Sequence, residues 1–147
     1  MFFDDSSKNG QLVLSKEYSH KLYISSNFAY LTAFVAMFNG YFLNYWVWMY
    51  NGVASNWYWQ RPTYGGRRNL DITLSLLNIG VHSALINYNV YGCKSYYLPT
   101  FLFYMGTSSY FNALLFGRFF KSESISSCFH LCFHIFMNGC AISLYTC

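Results

Sequence analysis

Charge is the scarcest commodity in this chain. Only 10% of its 147 residues are Asp, Glu, Lys or Arg, against about 25% in soluble domains. A soluble domain of this length would have too few charges to clothe its surface, so an apolar solvent is the simpler reading. The charges that exist sit in short islands, and the stretches 22–60, 72–93, 95–117 and 124–147 carry none. None of these runs contains Asp or Glu, whereas ion-translocating cores generally use an intramembrane carboxylate or a His/Lys relay. That counts against a pump core, a proton-carrying rotor or a channel subunit. Long basic runs are also missing, and with them the footprint of nucleic-acid binding. There is no nucleophile–base pair in recognisable context, no phosphate-binding glycine loop and no dinucleotide fingerprint. Catalysis by this chain alone is not expected.

Cysteine is present but not arranged. The five, Cys93, Cys128, Cys132, Cys140 and Cys147, follow no spaced framework. Their odd number at membrane depth reads as small apolar filler rather than as bridges. The opening also lacks an Arg-rich amphipathic pattern, which makes it unlike a transit peptide.

What is present in abundance is apolar and aromatic: hydrophobic residues make up 54% and aromatic residues 23%, with 15 Phe and 15 Tyr. Each uncharged run is long enough to cross a bilayer as a helix, which takes about 20 residues. The pattern predicts an all-α integral membrane protein of a single domain, with about four transmembrane helices. A short polar N-terminal tail over 1–21 precedes spans at 27–50, 72–92, 96–117 and 124–146. Mean hydropathy is only +0.20, because the runs hold many Tyr, Ser and Asn residues. Polar side chains in lipid need partners on other helices, so membership of a larger assembly is expected.

Two stripes of small residues support close helix packing. One is Ala29, Ala33, Ala36 and Gly40; the other is Gly106, Ser109, Ala113 and Gly117. Trp57, Tyr58 and Trp59 read as an aromatic anchor at the membrane–water boundary. The stretch from Arg61–Pro62 to Asp71 reads as a loop, broken by Pro62 and Gly65–Gly66. Its Arg61, Arg67 and Arg68 are candidate partners of lipid phosphates, cardiolipin included. With four spans the basic residues divide nearly evenly between the two sides, so orientation does not follow.

Among residues that carry chemistry, the histidines stand out. His82 follows Asp71 by eleven residues, and His134 follows Glu123 by the same eleven. Counted from those charges, both imidazoles lie near mid-bilayer on parallel spans. Two facing imidazoles would be axial ligands of a b-type haem; the alternative is structural hydrogen bonding to a neighbouring Asn, Tyr or carbonyl. Cys128–Phe129–His130–Leu131–Cys132–Phe133–His134 suggests zinc in one dimension only, since a helix turns the cysteines away from the histidines. No cofactor is expected on the leading reading, and haem b on the alternative.

His134–Ile135–Phe136–Met137–Asn138–Gly139 resembles the His–Asn–Gly stretch of succinate dehydrogenase membrane anchors. That resemblance implies help in binding haem b and ubiquinone. It covers six residues, its spacing is one residue longer, and Cys140 and Ala141 stand where basic and histidine residues are expected. The closing aspartate of that motif is absent too.

The leading expectation is a structural, accessory transmembrane subunit of a multisubunit energy-transducing complex. Its partners are other transmembrane subunits and phospholipid. The A+T-rich codons of Phe, Tyr, Asn and Ile point to an organelle, and the mitochondrial inner membrane and respiratory chain come first. A haem b-binding, quinone-associated electron-transfer anchor is the alternative, and a small channel or transporter ranks last.

Overall fold

The computed structural model describes residues 10–88, 92–93 and 96–147. Among them there is no strand, and six helices follow one another: α1 (Lys16–Ser26), α2 (Phe28–Phe38), α3 (Phe42–Trp59), α4 (Gly66–Asn87), α5 (Tyr97–Arg118) and α6 (Glu123–Tyr145). Two of them, α4 and α6, are long and apolar enough to cross a membrane, with mean hydropathy of 1.2 and 1.4 over their most apolar stretches. Only 28% and 39% of those stretches are buried within the bundle. The core helix of a soluble protein would be mostly buried.

The uncharged run 27–50 does not form one helix. Gly40 has φ +81°, a left-handed conformation that costs glycine little. The Tyr41 N–H donates to Ala36 O at 2.8 Å, the six-to-one bond of a Schellman cap. The chain reverses there. Upstream, residues 16–21 are helical rather than tail. Asn27 lies between α1 and α2 in right-handed helical conformation, and its Nδ2 donates to Tyr23 O and Ile24 O. The two short helices therefore continue each other around a one-residue interruption. Together they make one pass along the bundle, and α3 returns.

Among the described residues the helices make five passes along the bundle, in the order α1–α2, α3, α4, α5 and α6, because the expected span 27–50 is divided at Gly40. One end is defined by contacts among segments far apart in sequence. Leu12 bridges Thr63, Val13 N–H donates to Pro62 O at 2.8 Å, and Ser15 N–H donates to Glu123 Oε2 at 3.2 Å. The other end holds the turn at Asn39–Tyr41, the end of α4, Cys93 and the last residues of α6.

Packing follows the small-residue stripes in part. Ala29, Ala33 and Ala36 are buried, as are Gly106, Ser109 and Ala113, while Gly40 and Gly117 are exposed. A Cβ at Gly106 would meet Met137 Cγ and Sδ at 3.0 Å, so α5 and α6 touch closely. Of the aromatic trio only Trp57 points outward. Tyr58 and Trp59 pack with Leu14 and Leu22 in a small second core, because α1 covers that flank of α3. Cys93 and Cys147 form a disulfide with Cα atoms 5.4 Å apart, against the reading of all cysteines as filler. The sequence gap of 54 residues hid their meeting. Cys128, Cys132 and Cys140 remain free.

Candidate functional site

The polar residues of the uncharged runs converge inside the bundle. α4 begins at Gly66, earlier than the loop reading allowed, and so carries Asp71 within the helix. Asp71 is buried and accepts a short hydrogen bond from Ser55 Oγ of α3. A carboxylate therefore does lie inside the bundle, although none lies in an uncharged run.

His82 is fully buried. Its Nδ1 lies 2.9 Å from Asn78 O, a pure acceptor, so Nδ1 carries the proton and Nε2 is the lone-pair nitrogen. Tyr145 Oη, 3.0 Å from Nε2, therefore donates to it. The same phenol oxygen accepts from Asn44 Nδ2 and Trp48 Nε1, each at 3.0 Å. One hydroxyl thus uses its proton and both lone pairs, tying α3 and α4 to the end of α6. Trp48 also sets its ring edge against His82, with centroids 5.4 Å apart.

His134 is held otherwise. Its Nδ1 lies 2.7 Å from Ser25 Oγ, and Ser25 spends its own proton on Leu22 O at 3.0 Å. Ser25 is then the acceptor and His134 Nδ1 the donor. The carbonyl of His134 accepts from Asn138 Nδ2 at 2.6 Å, and Asn138 Oδ1 accepts from Thr32 Oγ1 at 2.5 Å. His130 stacks edge-on against His134 at 5.0 Å and against Trp59 at 5.1 Å.

The equal count from Asp71 and Glu123 does not bring the two candidate ligands together. Asp71 is inside the bundle while Glu123 caps its end at Ser15, so the two charges do not mark one depth. His82 sits beside Tyr145 and Trp48, and His134 beside Ser25 and His130. Beside His134 lies a cavity of about 20 Å³ lined by Asn51, Ser55, Ser75, Asn78, His134 and Asn138 among others. That is room for about one water. Asn51 Oδ1 and Asn78 Oδ1 are buried without a partner among the described residues, so the pocket suits a small hydrogen-bond donor. A porphyrin does not fit these residues as arranged. The lone pair of His82 is taken by Tyr145, and the space beside His134 is water-sized.

The three arginines take different positions. Arg61 is exposed, Arg67 lies over the Trp57 ring with its guanidinium carbon 4.7 Å from the centroid, and Arg68 lies over Tyr64 at 5.2 Å. Sequence reading missed Tyr145, Ser25, Ser55 and Thr32. Only their place in otherwise uncharged runs could have drawn attention to them. No family model matches this chain, and no curated protein or solved structure does.

Proposed function

We propose that this chain is a structural, accessory transmembrane subunit of a multisubunit energy-transducing membrane complex, with the mitochondrial respiratory chain as the first candidate. On this reading each of the five passes spans the bilayer. The observation that carries it is the outward face of the bundle. Phe101, Leu115 and Ile135 are exposed, as lipid contact allows, but so are Tyr104, at 64%, and Ser108 on the same side of α5. On α4, Gly80 has nothing within 4 Å of where a Cβ would stand. Hydroxyls and bare backbone at mid-helix favour another helix over lipid tails.

The interior supports the same role. Its polar groups are spent largely on one another, with a hydroxyl or amide joining nearly every pair of neighbouring passes. That organisation suits a part that holds shape within an assembly. The mitochondrial placement rests on the composition.

The test is purification of the tagged chain from its native membrane in mild detergent, beside Gly80→Phe and Ser108→Phe variants. The expected result is a fixed stoichiometry with other membrane-spanning chains, which either substitution lowers while the isolated chain keeps its helicity. Recovery as a monomer from the native membrane would overturn the reading.

A further inference from the structure

The two ends of the bundle differ in charge and in redox chemistry. The sequence has 9 Lys and Arg; Lys8 and Lys94 lie outside the described residues. All the others, Lys16, Lys21, Arg61, Arg67, Arg68, Arg118 and Lys121, gather at the end where Ser15 meets Glu123. The acids there are Glu17 and Glu123, with Asp71 buried further in, so cations are in excess. Among the described residues the opposite end has no charge, and it carries the Cys93–Cys147 disulfide.

We infer that the charged end is a docking surface for anionic phospholipid headgroups on the non-translocated side of the membrane, and that the disulfide end faces an oxidising compartment. This rests on the membrane-spanning reading above. Two independent rules converge on it. Basic residues near span ends are retained on the inner side, and stable disulfides belong to oxidising compartments. The five-pass fold lets both hold at once, because an odd number of crossings puts the start of α1 and the end of α6 on opposite sides. Four spans would have put them together.

The surface has the chemistry of a headgroup layer. Arg67 lies over Trp57 and Arg68 over Tyr64, pairing cations with rings that prefer the interface. Between α1 and α6 a groove of about 220 Å³ is lined by Tyr18, Lys21, Ser124, Ser127, Cys128 and Leu131. Lys21, which pairs with Glu17 at 3.5 Å, and Ser124 make its lining polar and basic near the charged end, and Leu131, two turns further along α6, makes it apolar. A phospholipid has the same gradient, from phosphate to acyl chain. The negative surface potential of an anionic leaflet attracts basic residues placed beside it.

The test uses sealed native vesicles of known sidedness and a membrane-impermeant maleimide, with Gln11→Cys as reporter in a Cys128→Ser background. Labelling of residue 11 is expected from the inner side alone. Cys93 and Cys147 should label from the outer side, and only after an impermeant reductant is added there. Labelling of residue 11 from the outer side, or from both sides equally, would overturn the orientation. For the headgroups, the purified chain is mixed with phosphatidylcholine vesicles with and without phosphatidylglycerol. Wild type should bind the anionic vesicles at least tenfold better, and Arg61→Gln/Arg67→Gln/Lys121→Gln should lose most of that preference. The matching Arg61→Lys/Arg67→Lys variant, which keeps the charge, should retain it. An unchanged preference in the glutamine variant would remove the surface. Release of wild type from native membranes by alkaline carbonate would instead sink the membrane reading beneath it, a different failure.

Discussion

The α5–α6 hairpin and the α1–α4 half are built by different means. The hairpin is held by close approach: Gly106 lets Met137 in, and Ser126 Oγ donates to Ala113 O at 2.8 Å near its turn. The other half also packs closely, since a Cβ at Gly52 would meet Tyr30 Cε1 at 3.0 Å and Ala29 Cβ at 3.2 Å, but it adds side-chain hydrogen bonds between its helices, such as Ser55 to Asp71 and Asn56 Nδ2 to Asn27 Oδ1 at 3.0 Å. Where the two halves meet, Tyr145, His134 and Asn138 of α6 carry the polar bonds across. Close packing dominates the hairpin, whereas the other half combines it with hydrogen bonds between helices, so the two should fail differently.

The largest expected effect is on the hairpin. Gly106→Leu should destabilise by about 3 kcal/mol, since a side chain there must displace Met137 and part of α6. Reversible unfolding in mixed detergent measures it, and an unchanged midpoint would mean that the helices are not in contact at Gly106. Next comes the junction. Tyr145→Phe leaves His82, Asn44 and Trp48 without their shared partner and should cost about 2 kcal/mol by the same assay. In a His82→Phe background the same change should cost less, because one orphaned partner is gone. Equal costs would separate Tyr145 from His82. Smaller still, Ser25→Ala removes the acceptor of His134 and should cost about 1 kcal/mol. The imidazole nitrogen signals in NMR should shift for His134 and stay put for His82. The smallest effect belongs to the outer face. Gly80→Ala should leave the isolated chain unchanged or more stable by about 0.5 kcal/mol. A large loss would mean that α4 is turned the other way.

Much of the fold was legible, and the parts that were not have identifiable causes. The helices at 97–118 and 123–145 match their uncharged runs because a charged residue closes each one near its true end. The run 27–50 deceived because Gly40 falls at helical spacing after Ala29, Ala33 and Ala36. Periodicity cannot tell a packing glycine from a capping one. Asn39–Gly40 was the signal available. Residues 16–21 looked like tail because Lys16, Glu17 and Lys21 face outward, while the buried side of the same turns is Ser19 and Leu22.

The site was half visible. Burial of His82 and His134 followed from charge-free surroundings, and hydrogen bonding to a carbonyl and a Tyr is what His82 has. Their separation was not visible, since it depends on where α4 starts. Gly65, with φ +126°, starts the helix before Arg67, so Asp71 is carried inward. The partners Ser25 and Tyr145 come from the first and last helices, at 109 and 63 residues' separation from their histidines. No local pattern carries such pairings.

The central claim is that this chain lives in a membrane as part of something larger. Native membranes from its source, washed with alkaline carbonate, solubilised in digitonin and run on a native gel, test it most directly. The chain should stay in the washed membrane and migrate in a single assembly far above its own 17.2 kDa. Release by carbonate, or migration as a lone subunit, would contradict the account.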